Sequence, residues 1–172
     1  MDFTQLIQER ESIRDYDPSH KVPQKTLERI LNAGRLAPSA TNRQPWKFIV
    51  VSSESVLAKV RACYAKDWFR SAPHILIVKG NRSAAWTRSY DGYNALETDL
   101  TIAMDHLILA AENEGVASCW IAAFDPAVLR KALDLHQDEE VFAITPLGYP
   151  NPGFRKKHNK IRKPLSDVTE FI

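Results

Sequence analysis

Two pairs of basic side chains in this sequence have the types and spacing of an anion-binding site. Arg10 and Arg14 lie four residues apart with Ser12 between them, where the first helix is expected to end. Lys160 and Arg162 lie two residues apart, so both point to one side of an extended backbone. A guanidinium pairs bidentately with phosphate, so together the pairs predict a phosphate site. Taken alone, each pair is better explained as a solvated basic surface.

A loop of unusual composition is the second candidate binding element. Residues 37–46 read Ala-Pro-Ser-Ala-Thr-Asn-Arg-Gln-Pro-Trp and lie between an expected helix and an expected strand. The preceding helix must end near Leu36, because Pro38 disfavours helical geometry at Ala37. Small polar side chains between two prolines indicate a fixed loop, and such loops usually position a ligand.

The common catalytic and metal-binding patterns are missing. The sequence has no Gly-rich dinucleotide fingerprint, no phosphate-loop GK[ST] motif and no Gly-x-Ser-x-Gly elbow. The five histidines are scattered, and His74 is expected only to pack at the start of a strand. Cys63 and Cys119 stand among apolar neighbours, which predicts small buried hydrophobic residues rather than a disulfide or zinc site.

Composition limits the classes of partner. The formal net charge of +2 is too small to predict nucleic-acid binding. No apolar run approaches the roughly 20 residues that cross a bilayer, and Met1-Asp2-Phe3-Thr4 lacks the order of a signal peptide. We therefore expect a cytoplasmic protein with neither a nucleic-acid nor a membrane partner.

Hydrophobic periodicity predicts helices and strands interleaved along a single domain, residues 1–172. Helices are predicted over 3–10, 23–36, 53–63, 95–114 and 127–133, and strands over 46–51, 75–78, 117–121 and 141–147. The longest helix carries an apolar stripe and ends at Gly115. Segment 79–93 is predicted to be a lid-like loop. This alternation indicates an α/β or α+β sandwich of unspecified strand order.

The last segment, 154–172, changes character along its length. Its first half is basic, and its second half carries the spaced apolar residues Leu165, Val168, Phe171 and Ile172. Apolar side chains at this spacing do not fit a free tail. We predict that the segment is an arm that crosses to a partner subunit and packs there.

In combination, these segments resemble the nitroreductase family. The motifs occur in family order as Arg10-x-Ser12-x-Arg14, Pro38-Ser39-Ala40-Thr41-Asn42-Arg43-Gln44-Pro45-Trp46, Gly115-Val116-Ala117-Ser118-Cys119-Trp120-Ile121 and Lys160-x-Arg162-Lys163-Pro164-Leu165. The resemblance covers nearly the whole chain, and its second motif is the most specific. It implies an α+β sandwich with a central, mainly antiparallel sheet flanked by helices, in an intertwined homodimer.

The resemblance also implies FMN at the subunit interface. Arg10, Ser12, Lys160 and Arg162 would neutralise its phosphate. Arg14 would face the pyrimidine edge of the ring, where negative charge accumulates on reduction. The other subunit would supply Pro38, Ser39, Ala40, Asn42 and Gln44, and the backbone N–H groups of Ala122 and Ala123 would approach the N5 region.

The implied activity is an FMN-dependent oxidoreductase with ping-pong hydride transfer. NADH or NADPH would reduce the flavin, and a small electron-poor acceptor such as a nitroaromatic or quinone would then take its place; no side chain is implied as a catalytic acid or base. Two alternatives stay open, namely other flavin chemistry on this fold (dehalogenation or flavin fragmentation) and a non-catalytic flavin-binding module. The contact that segment 64–69 makes with the flavin ring is unassigned.

Overall fold

A single antiparallel sheet organises the protein, whose computed structural model describes all 172 residues. Its strands lie in the order β1-β2-β4-β3. Their bounds are β1 Trp46–Val51, β2 His74–Asn81, β3 Ala117–Ser118 and β4 Glu139–Gly148. Every neighbouring pair is antiparallel, which confirms the expected α+β class.

Six α-helices surround the sheet. They are α1 Phe3–Glu9, α2 Gln24–Arg35, α3 Glu54–Val60, α4 Asp67–Arg70, α5 Leu96–Asn113 and α6 Pro126–Leu133. Short 3₁₀ turns cover Ala40–Asn42, Arg61–Cys63 and Leu165–Asp167. No helix combines the length and the hydropathy of a membrane-spanning segment.

Strand β2 lies at the centre and separates two hydrophobic layers. Leu76 and Val78 face one layer, which α2 and α5 cover. Ile75 and Ile77 face the other, which α3 and α6 cover. Because both faces are buried, β2 reads as a continuous apolar run rather than an alternating one. The sheet is thus sandwiched between two helical layers.

Three predicted boundaries were wrong. Strand β2 continues past Val78 through a register shift, so the lid-like loop begins after Asn81 rather than at Lys79. The predicted strand 117–121 is regular only over Ala117–Ser118, with one further isolated bridge at Ile121. The helix predicted over 53–63 tightens into a 3₁₀ turn at its end, and the four-residue α4 was not predicted.

The loop after β2 folds back on itself. The Arg88 N–H donates to the Tyr93 carbonyl over 2.8 Å, and the Arg88 guanidinium pairs with Asp91. An isolated bridge joins Thr87 to Asn94. These contacts make residues 82–95 a closed surface hairpin, with Tyr90 95% exposed at its tip.

Candidate functional site

Both basic pairs predicted from the sequence line one cleft. Its volume is about 620 Å³. The lining residues are Arg10, Glu11, Ser12, Arg14, Asp15, Phe154, Lys157, Asn159, Lys160 and Arg162. The fold therefore joins the segment after α1 to the C-terminal arm, although nearly the whole chain separates them.

Hydrogen bonds between the arm and the end of α1 build this cleft. The Lys160 ammonium donates to the carbonyls of Ile7 and Gln8 over 2.7 and 2.8 Å. Carbonyls in the last turn of a helix have no partner within it, so Lys160 satisfies them. The Glu11 carboxylate accepts hydrogen bonds from the backbone N–H groups of Lys157 and His158, 3.1 and 2.6 Å away.

Positive charge dominates the cleft. Burial lowers the pKa of the Lys160 ammonium, and the nearby charges of Arg10 and Arg162 lower it further. None of these cations, nor Arg14, forms an ion pair with a carboxylate of the chain. Glu11 and Asp15 also line the cleft, but neither forms an ion pair with these cations. Converging guanidinium, ammonium and hydroxyl donors that form no ion pair fit a phosphate group.

Trp68 is a site residue that the sequence did not reveal. The Arg14 guanidinium lies over its indole ring, with Cζ 5.8 Å from the ring centroid. Trp68 belongs to the unpredicted helix α4 and also stacks on buried Tyr16, with centroids 6.4 Å apart. Trp68 is therefore the residue of segment 64–69 that contacts Arg14, which is predicted to bind the flavin. The aromatic residues clustered between Tyr64 and Phe69 were the sequence signal that could have indicated this contact.

The two thiols are buried, as expected. Burial raises the pKa of Cys63 to about 11. Burial also raises the pKa of Cys119, although Arg14 and Ser12 beside it act in the opposite direction. Cys119 thus adjoins the cleft, but a thiol kept protonated is a poor nucleophile.

The loop predicted to hold flavin does not line this cleft within one protomer. Its candidate residues are Pro38, Ser39, Ala40, Asn42 and Gln44, none of which belongs to the lining. Asn42 and Gln44 have φ angles of 56° and 50°, in the left-handed region, which Asn tolerates better than most residues other than glycine. The Ser39 hydroxyl oxygen accepts the Gln44 N–H over 2.9 Å, which stabilises this backbone.

Ala122 and Ala123 lie in the loop between β3 and α6. Both residues are exposed, and neither lines the cleft. Their backbone N–H groups donate no hydrogen bond within the protomer. Both groups are therefore free to bind an external acceptor.

Comparison with known proteins decides the family. The model of the Nitroreductase family matches residues 7–66 and 56–149. The chain belongs to the nitroreductase family. A relative from Methanothermobacter thermautotrophicus, assigned as an NADH dehydrogenase/NAD(P)H nitroreductase, is 31% identical over 162 residues, covering 90% of this chain and 82% of that protein. The resemblance inferred from the motifs is thus confirmed.

Solved structures agree with this assignment. A nitroreductase family protein from Clostridium difficile 630 superimposes with a TM-score of 0.89 at 32% identity, over 99% of this chain and 98% of that one. A protein from Desulfovibrio desulfuricans, assigned as a nitroreductase and solved in complex with FMN, gives 0.82 at 26% identity, over 96% and 94%. More distantly, an iodotyrosine deiodinase from Thermotoga neapolitana is 24% identical over 172 residues, 85% of this chain and 87% of that protein.

Proposed function

We propose that this protein passes electrons from a reduced nicotinamide, through FMN, to a small electron-poor acceptor such as a nitroaromatic or a quinone. As a member of the nitroreductase family, the chain is an NAD(P)H-dependent FMN oxidoreductase; the acceptor class and the ping-pong order are the proposal. The observation that carries it is the convergence of both basic pairs on one cleft, where none of the four forms an ion pair with a carboxylate.

The side chains of the cleft have separate tasks in this proposal. Arg10, Ser12, Lys160 and Arg162 bind the FMN phosphate through charge-assisted hydrogen bonds. Arg14 lies at the pyrimidine edge of the ring, where a cation favours the anionic reduced flavin. When bound, FMN accepts and donates the hydride equivalent, and the protein binds and orients it.

The proposed active unit is a homodimer. Loop 38–44 does not line the cleft of its own protomer, which fits its use against a flavin held by a second copy. The end of the arm carries unburied apolar side chains, with Leu165 75% and Phe171 95% exposed. Apolar surface of this extent marks an interaction site. On the second copy, β1 is an edge strand beside a groove in which Leu31, Trp46 and Phe48 lie among polar side chains, a surface that could receive the arm.

Spectroscopy tests the cofactor and the donor. We expect the purified protein to show flavin absorbance, either as isolated or after addition of FMN, and to bleach on anaerobic addition of NADH or NADPH. A nitroaromatic or quinone should then restore the colour. Initial rates at varied donor and acceptor should give the parallel double-reciprocal lines of a ping-pong mechanism. A protein that stays colourless in excess FMN would remove the proposal.

Truncation tests the dimer. Deletion of residues 165–172 removes the exposed apolar end but keeps Lys160 and Arg162. We expect the full chain to elute as a dimer and the shortened chain to elute as a monomer that binds FMN more weakly. A full chain that is monomeric and binds FMN would show that one protomer suffices.

Reductive dehalogenation is the second candidate, favoured by the similarity to iodotyrosine deiodinases. The hairpin 82–95 argues against it, because a loop closed on itself is poorly suited to enclose a substrate. The electron donor and the electron acceptor that the protein uses distinguish the two candidate activities. Flavin that neither nicotinamide reduces, but that a halogenated tyrosine reoxidises after dithionite reduction, would favour dehalogenation. Flavin that no donor or acceptor turns over would favour the non-catalytic binding module.

A further inference from the structure

We propose that Trp68 positions the Arg14 guanidinium and thereby sets how much more tightly the site binds reduced FMN than oxidised FMN. This inference rests on the proposed function, which places Arg14 at the pyrimidine edge of the flavin. Trp68 is then a positioning residue, since it acts through Arg14 rather than on the reacting atoms.

Arg14 has few other contacts that fix its charged end. Its side chain is exposed, and it forms no ion pair with any carboxylate of the chain. The Arg14 guanidinium carbon lies 5.8 Å from the centroid of the Trp68 ring, and the Cys119 thiol lies beside the same side chain. A guanidinium at this distance is attracted to the negative face of an indole.

Trp68 is itself held by three aromatic side chains. Tyr16 stacks on it at 6.4 Å and 28°, and Tyr64 meets it edge-on at 5.7 Å and 71°. Phe69, which is fully buried, meets it at 6.3 Å and 82°. The indole therefore offers Arg14 a surface of fixed orientation. A long, flexible arginine side chain loses rotamer freedom against that surface before any ligand arrives.

A cation fixed in this way distinguishes the two redox states of the flavin. Reduction adds negative charge near the pyrimidine edge, so a guanidinium held there stabilises reduced FMN more than oxidised FMN. If the indole face is removed, Arg14 samples other rotamers in the open cleft, and this preference weakens. Binding of oxidised FMN, which relies mainly on the phosphate contacts, should change less.

The experiment compares Trp68→Leu with Trp68→Phe. We expect Trp68→Leu to reduce the ratio of the two dissociation constants, oxidised over reduced, by roughly two- to fivefold. For a two-electron couple, this corresponds to a midpoint potential about 10 to 20 mV more negative. Trp68→Phe keeps an aromatic face and should restore most of the ratio. Phe69→Leu is the matched control, because it disturbs the same cluster without removing the surface under Arg14.

A double-mutant cycle separates action through Arg14 from general packing. In an Arg14→Met background, Trp68→Leu should produce no further change in the ratio. An equal change in both backgrounds, or an equal change from Phe69→Leu, would overturn the inference. So would an unchanged ratio in Trp68→Leu.

The contact can also be observed without flavin. In the apoprotein, the Arg14 side-chain protons should show upfield ring-current shifts in NMR spectra that Trp68→Leu abolishes, and identical shifts in the variant would overturn the inference. Failure of the unaltered protein to bind FMN would overturn the proposed function together with this inference. Normal binding with an unchanged ratio would overturn the inference alone.

Discussion

The Asp99 carboxylate accepts a hydrogen bond from the backbone N–H of Ala40, 2.9 Å away and 59 residues distant in sequence. Asp99 lies in the first turn of α5, where the helix dipole favours a negative charge. It is 1% exposed, and its Oδ2 atom has no hydrogen-bond partner. The buried Asp99 carboxylate therefore links loop 38–44 to α5, the longest helix of the fold, through its hydrogen bond to Ala40.

Replacement of Asp99 by alanine should destabilise the protein. The Ala40 N–H would lose its acceptor, so we expect the free energy of unfolding to fall by about 1–3 kcal/mol in urea denaturation. Asp99→Asn keeps an acceptor oxygen and should cost less. Glu97→Ala is the control, because Glu97 is exposed in the same turn and should change stability by about 0.5 kcal/mol or less. Equal stability of Asp99→Ala and the unaltered protein would show that the bond is dispensable.

Local patterns predicted the elements whose apolar residues repeat regularly. Strand β1 has the bounds that the sequence predicted, and α5 differs from the prediction by one residue at each end. The end of β2 was missed because its stabilising partner is distant. Lys79 is a polar residue that suggests a loop, yet it is buried and pairs with Glu139 of β4, a contact that no local pattern reveals.

The candidate site was predictable in its parts but not in its assembly. Spacing identified the Arg10–Arg14 and Lys160–Arg162 pairs, whereas their meeting depends on the arm folding back onto α1. The position of Trp68 on a helix was not predicted, because α4 spans only four residues, too few to show a helical period. The family resemblance, rather than any local pattern, predicted the roles of the individual residues.

Lys160 should contribute to both cofactor binding and the docking of the arm. Lys160→Met removes the ammonium that donates to the Ile7 and Gln8 carbonyls and that we propose as a phosphate ligand. A charge-assisted hydrogen bond contributes about 1.5–3 kcal/mol, so FMN should bind at least about tenfold more weakly in fluorescence titration. Lys163→Met serves as the control, since Lys163 is exposed on the same arm and does not line the cleft. Equal losses in both variants would indicate a general charge effect.

His74 connects three segments through a defined tautomer. Its Nε2 atom accepts the Val22 N–H over 3.1 Å, so the ring hydrogen lies on Nδ1, which donates to the Ser52 hydroxyl oxygen over 2.7 Å. Burial lowers the pKa of His74, and the charge of Lys21 acts in the same direction. The expectation of a mere packing role was therefore incomplete.

Stability should fall on acidification because of His74. Its pKa in the folded protein lies below the unfolded value of about 6.5, so the unfolded chain takes up the proton first as pH drops. The contribution is complete above pH 6.5 or so and is lost as the pH falls below it. Between pH 7 and pH 5, the melting temperature of the unaltered protein should therefore drop further than that of His74→Gln. His20→Gln is the control, because His20 is exposed, and its melting temperature should drop as far as that of the unaltered protein. If the melting temperature of His74→Gln also drops as far as that of the unaltered protein, the assignment to His74 is wrong.

Gly80 sets the distance between β2 and the end of the candidate flavin loop. A Cβ atom at this position would lie 2.5 Å from the Pro45 carbonyl oxygen and 2.7 Å from Leu96 Cδ1. Because a backbone carbonyl cannot move without shifting the loop, Gly80→Ala should lower the free energy of unfolding by about 1–3 kcal/mol. In Gly34→Ala, the new Cβ atom would contact only side chains, chiefly that of Leu107. This substitution also gains about 1 kcal/mol of helix propensity. It should therefore lower the free energy of unfolding by less than Gly80→Ala does. If the two variants unfold at the same urea concentration, the close approach at Pro45 does not constrain the loop.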